Sequence, residues 1–233
     1  VATVAGSALA SRVLLRAAAR LPPHLRDPWT RINHAGRQVT LLEGPAWVGG
    51  ALVGSALAAV LDRGRNPAHR NVALASAVVA TASGALGAVD DLAGGGTDKG
   101  LKGHLRALAR GEVTTGAVKI LGLGLTGLVG AAIVDRAHPE RRGGLGSTLV
   151  GGAVIAGAAN AVNLFDLRPG RALKVTVATG VPLCATGPAA AAVGSSLGVV
   201  SDDLAATSML GDTGANAAGA LIGLALVSRC GPV

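Results

Sequence analysis

Aromatic side chains are almost missing from this chain: Trp29, Trp47 and Phe165 are the only three, and there is no tyrosine. Proteins that hold single-stranded nucleic acid stack bases on aromatic rings, so the net charge of +8 does not point to nucleic acid. The basic residues fall in short stretches between apolar runs rather than in one stripe. Anionic headgroups and phosphorylated ligands account for them better. Cysteine is scarce too, and Cys184 and Cys230 carry neither metal-ligand nor disulfide spacing. Charged residues are 15% of the chain, against about 25% in a soluble domain. Half of the residues are apolar and 36 are glycine. Small residues let helices approach closely in lipid, although so few aromatics leave no interfacial belt. The composition favours an Ala/Gly/Val-rich membrane protein over a soluble Ala-rich α/β protein.

The apolar residues come in runs. Residues 45–61, 72–89, 113–134 and 147–164 are each near the roughly 20 helical residues that a bilayer core requires. Residues 1–19 are apolar but broken by Arg12 and Arg16, and an Arg-containing, acid-free start also suits a transit peptide. Residues 175–200 are long for one span and short for two, and Thr186-Gly187-Pro188 offers a turn that would divide them. Residues 215–227 supply a last, short run. The pattern predicts an all-α, polytopic helical membrane protein with about eight transmembrane helices, in one domain over 1–233. Its cytoplasmic loops are expected at about 20–44, 90–112, 165–174 and 201–214, where Lys and Arg are commoner than in the opposite loops.

What stands out against this apolar background is where the polar residues fall. Asp90-Asp91 close one run; Asn160, Asn163 and Asp166 close another; Asp212 precedes the last. Carboxylates are expensive near a bilayer, so their recurrence at helix mouths predicts a shared polar site. Mg²⁺ takes oxygen ligands, usually one or two carboxylates plus substrate phosphates. Lys and Arg hold the remaining phosphate oxygens, here from Lys99, Lys102 and Arg106. Asn160, Asn163 and Asp166 step by three and so stay on one helical flank. Blander roles compete. Asp90-Asp91 can simply cap a helix at the water interface, and the asparagines can bond neighbouring helices. Lys119 reads as a snorkelling residue and Asp202-Asp203 as a solvated turn. Asp212-Thr213-Gly214 reads as a helix start whose own side chains satisfy backbone N–H groups.

These motifs resemble those of the polyprenyl-phosphate N-acetylhexosamine-1-phosphate transferases, the membrane family of phospho-MurNAc-pentapeptide translocase and the GlcNAc-1-phosphate transferases. The matching stretches are Asp90-Asp91, Lys99-Gly100-Leu101, Asn160-Ala161-Val162-Asn163-Leu164-Phe165-Asp166 and Met209-Leu210-Gly211-Asp212-Thr213-Gly214. They occur in the family's order over about residues 45–225. The resemblance implies transfer of a phospho-sugar from a UDP-sugar to polyprenyl (undecaprenyl) phosphate, with Mg²⁺, giving a polyprenyl-diphospho-sugar and UMP. It places Asp90 or Asp91 near the lipid phosphate, Asn163 and Asp212 on Mg²⁺ and the donor diphosphate, and Asp166 on the nucleotide side. Lys99 and Asn160 fall in the substrate-binding motifs. Arg106 stands where the family has a phosphate-binding lysine, which keeps the charge and changes its reach.

There are departures. Pro169 stands where the family has a second carboxylate, and Met209 where an aromatic residue often stacks on uracil. No His-rich loop follows Asp212, and the last two spans of larger members are not in this sequence. The expected setting is a multi-pass protein of the bacterial plasma membrane in envelope (peptidoglycan-type) polymer synthesis, with a homodimer as a possible assembly. The alternative is a non-catalytic relative that binds polyprenyl phosphate or assists an envelope-assembly complex.

Overall fold

The computed structural model describes residues 1–33, 35–61, 67–93, 115–138 and 144–230. Among the described residues the fold is all-α apart from one small hairpin. The described helices are α1 (Ala2–Ala18), α2 (Pro23–Arg26), α3 (Glu43–Leu61), α4 (Pro67–Ala93), α5 (Thr115–Ala137), α6 (Gly144–Phe165), α7 (Arg171–Gly180), α8 (Gly187–Leu204) and α9 (Gly211–Cys230).

Four of the described helices, α3 to α6, are long and apolar enough to cross a membrane. The expected count of about eight is therefore not supported. Arg12 and Arg16 interrupt α1, and α7 has only 10 residues, about 15 Å of helix at 1.5 Å per residue. The turn expected at Thr186-Gly187-Pro188 is present: a 3₁₀ turn over Val181–Leu183 separates α7 from α8.

The outer faces bear on the membrane more directly than length does. On α5, Val118, Leu121, Leu125 and Val129 are all exposed, and on α6 so are Leu149, Val150 and Val154. The α5 residues recur every three or four positions and Val150 and Val154 are four apart, so each helix turns an apolar stripe outward. A helix on a water-soluble domain would place polar residues there. The apolar exterior suits a membrane protein.

The interior is built from small residues around α9. This helix is buried from Thr213 through Ala225 and packs on α6, α4 and α3. Close approach explains the glycines. A Cβ added at Gly219 would overlap the carbonyl of Ala158, and one at Gly223 would lie 2.7 Å from the Cα of Ile155. α1 is laid against α3 and α8, and α5 against α4 and α6. The largest buried side chain, Trp47, donates its indole N–H to Ser196 Oγ at 3.0 Å, so its one polar atom is satisfied.

The segment expected as loop 20–44 contains an antiparallel hairpin, β1 (Thr30–Ile32) with β2 (Gln38–Thr40), paired Thr30↔Thr40. Asn33 Oδ1 accepts the N–H groups of Ala35 and Arg37, both at 2.9 Å, and Gly36 takes φ +73°. β2 is bridged to Ser208, and Met209 N–H donates to the Thr40 carbonyl at 2.9 Å. The hairpin thereby holds the segment that leads into α9.

Candidate functional site

The C-terminal ends of α4 and α6 and the N-terminal ends of α5 and α9 meet at one end of the bundle. There the first turn of α9 is held from outside. A helix begins with four backbone N–H groups lacking an intrahelical partner. The blander reading of this motif has Asp212 or Thr213 provide for their own helix. Instead, Asp91 of α4 does: its Oδ1 accepts the Asp212 N–H at 3.0 Å, and its Oδ2 accepts the Thr213 N–H at 2.9 Å and the Thr213 hydroxyl at 2.6 Å. Asp166, just past α6, lies near the N–H of Gly211. Gly211 is required here twice over. Its φ is +63°, and a Cβ would come within 2.9 Å of the Asp91 carboxylate. An acidic side chain at a helix N-terminus also suits the macrodipole.

With both Asp91 oxygens engaged, its neighbour Asp90 turns to a different partner. Lys119, near the start of α5, places its Nζ 3.1 Å from Asp90 Oδ2 and 2.6 Å from Asp212 Oδ2. The lysine side chain is 12% exposed, the two carboxylates 30% and 27%. Lys119 therefore does not snorkel; it joins two acids from different helices at a half-open mouth. Burial, then the neighbouring Asp90 carboxyl, push Asp212 up to about 6 against the pull of Lys119. Asp166 is pushed well above the usual carboxylate range, first by burial and then by Asp203.

Asp203 corrects an expectation. It is not in a solvated turn: it is buried at the end of α8, near the Gly170 N–H, and its Oδ2 has no hydrogen-bond partner. Burial raises its carboxyl to about 6, with Lys174 pulling the other way. Asp202 is tied to Arg12. Glu43, at the start of α3, is also wholly buried and accepts the Ser208 hydroxyl. The sequence reading missed it because a glutamate opening a helix looks like an ordinary solvated first-turn residue.

Of the other expected site residues, Asn160 donates to the Ala156 carbonyl of its own helix at 3.1 Å. Asn163 is half-buried on the last turn of α6, and its carbonyl accepts the Asp166 N–H at 3.1 Å. Lys99 and Arg106 lie outside the described residues, as does Lys102. Two residues join the site unforeseen. Arg31 of β1 donates to the Asp91 carbonyl, docking the hairpin on the end of α4. Asn216, one turn inside α9 from Asp212, is fully buried with both amide atoms unpaired.

Among the described residues no three His, Cys, Asp or Glu side chains gather into a metal-binding group. That does not set the site against Mg²⁺, which commonly takes only one or two protein carboxylates and draws its other ligands from phosphates and water. Asp90 and Asp212 already point at one cationic position, now taken by the Lys119 ammonium. The donor set fits the ion. No protein-family model matches the chain, and no curated protein matches it.

Proposed function

We propose that this protein is an integral-membrane phospho-sugar transferase of the polyprenyl-phosphate N-acetylhexosamine-1-phosphate transferase type, acting at the cytoplasmic face of a bacterial plasma membrane. The observation that carries the reading is the convergence of Asp90 and Asp212, from separate helices, on one cationic point beside the exposed apolar faces of α5 and α6. A polyprenyl phosphate approaching through lipid meets that point at the level of the helix ends, and a water-soluble donor meets it from the other side.

In the proposed reaction an oxygen of the lipid phosphate bonds to the sugar-bearing phosphorus of a UDP-sugar. The bond from that phosphorus to the bridging oxygen breaks, and UMP leaves. Asp90 is better placed than Asp91 to take the proton of the lipid phosphate, because both Asp91 oxygens are committed to α9. Asp212 and Asn163 would hold Mg²⁺, which neutralises charge on the donor diphosphate. Lys119 balances the two carboxylates and orients them. Asp91 acts through α9 by fixing where Asp212 stands, so it is a positioning residue.

The test is UMP release by the purified chain in detergent with Mg²⁺, undecaprenyl phosphate and a panel of UDP-sugars. Asp212→Asn should lower release by roughly 10²–10³-fold, the usual cost of losing one preorganised electrostatic partner. Undiminished release by that variant rejects the site. Pro169 and Met209, at the nucleotide-side positions of the resemblance, favour a second reading: a relative that binds polyprenyl phosphate without transferring a sugar. Binding of the lipid phosphate with no UMP from any donor would select it.

A further inference from the structure

A cavity of about 600 Å³ lies between the end of α1, α2, the hairpin and the segment leading into α9. Its size is that of a site for a small ligand or a headgroup. Three arginines line it: Arg12, Arg16 and Arg26, with Thr30 and Thr40 in the hairpin wall. Arg12 is committed, donating to Asp202 and to Ser201 Oγ at 2.6 Å. Arg26 donates from Nη1 to the Ala19 carbonyl at 3.2 Å, yet its Nε is buried with no acceptor. Arg16 is exposed at the cavity edge, and two carboxylates in the wall, Asp27 and the Asp202 already paired with Arg12, oppose these charges. Buried donors on charged groups are normally paired, and a guanidinium fork matches a phosphate better than a single-atom acceptor.

The outside of α1 says how such a phosphate arrives. Leu9, Arg12, Val13 and Arg16 are spaced i, i+3, i+4 and i+7 and so share one helix face. Leu9 and Val13 are exposed, 67% and 54%. Along this face the exposed apolar side chains alternate with the two guanidiniums that line the cavity. A chain-bearing molecule laid along it would keep its tail on Leu9 and Val13 and its phosphate among the arginines, as basic pockets between membrane helices hold anionic headgroups.

We infer that this cavity binds the phosphate of an anionic amphiphile, at a place separate from the Asp90–Lys119–Asp212 mouth. Arg16 and Arg26 are its ligands, and Arg12 is held by Asp202 to shape the wall.

The experiment uses the full chain stripped of lipid in detergent, then offered phosphatidylglycerol or phosphatidylcholine, with bound lipid counted by native mass spectrometry. Wild type should retain phosphatidylglycerol and not phosphatidylcholine, and Arg16→Gln/Arg26→Gln should reduce retention at least fivefold. Because Arg26 also holds the Ala19 carbonyl, the single variant Arg16→Glu, at an exposed position, repeats the test without touching the fold. Retention equal across all proteins, or equal for the two lipids, overturns the inference. Glycerol 1-phosphate as a soluble competitor separates the sources. If it binds as tightly as the lipid, the natural ligand is a free phosphorylated molecule; if it does not compete, the tail is part of recognition. Lipid retention is read without UMP release, so this result and the transfer assay fail independently.

Discussion

Neighbouring residues on an α-helix point about 100° apart, and Asp90 and Asp91 show what that rotation does. One carboxylate faces α9 and closes its N-terminus; the other faces α5 and meets Lys119. The two substitutions should therefore behave differently. Asp91→Asn weakens three hydrogen bonds and should cost about 1–3 kcal/mol of stability, visible as a lowered midpoint in detergent melts. Asp90→Asn should leave that midpoint nearly unchanged while removing transfer. Equal effects of the two on both measurements would show that the division of labour is absent. Asp203 gives a prediction in pH. Its carboxyl is raised from an ordinary 3.8 to about 6 in the folded chain, so folding favours the protonated form. The stability it supplies is complete below about pH 4 and disappears as pH rises through about 6, up to about 3 kcal/mol by linkage. Asp203→Asn should melt higher than wild type at pH 7.5 and match it at pH 4. A gap that is the same at both pH values contradicts the assignment.

At the scale of elements, position is set by how closely helices approach. Gly87 lies where α4 crosses the first turn of α9, and a Cβ there would overlap the Asp212 carbonyl and lie 2.5 Å from the Thr213 nitrogen. These are backbone atoms and cannot rotate away. Gly87→Ala should destabilise by about 1–3 kcal/mol, as overpacking does, and should reduce transfer further by moving Asp212 off Lys119. Gly124→Ala is the contrast. Nothing lies within 4 Å of a Cβ at that site, and exchanging a mid-helix glycine for alanine there should be neutral or stabilising by up to about 1 kcal/mol. Melting both variants, with UMP release as the second readout, checks the pair. Much of this level was legible beforehand. Runs 45–61, 72–89, 113–134 and 147–164 became α3 to α6, because apolar content over a helix length is a local property of the chain. The hairpin at 30–40 was missed, its strands being only three residues each. Asn33 and Gly36 were the signal that could have found it.

The whole molecule has two ends, and the native cysteines report which is which. Cys184 precedes α8, whose other end carries Asp203; Cys230 ends α9, whose other end carries Asp212. Both cysteines thus lie at the end away from the acidic mouth. With that mouth at the cytoplasmic face, an impermeant maleimide added outside intact cells whose outer barrier has been opened should label the exposed Cys230. In a chain with the native cysteines replaced, a cysteine put at the exposed Ala205 should stay unlabelled until the membrane is broken. The reverse pattern would turn the proposed site outward, where no cytoplasmic nucleotide donor reaches it.

Taken alone, the sequence determined the helical character, the membrane-suited exterior and the order of polar motifs at helix ends. Each of these follows from composition and from spacing along a single run. Tertiary structure alone decided which carboxylate does what. The destination of Lys119, the burial of Asp203 and Glu43, and the capping of α9 by Asp91 all depend on the crossings of helices remote in sequence. A side chain's neighbours across such a crossing are set by rotation about two axes at once, which the periodicity of either helix by itself does not contain.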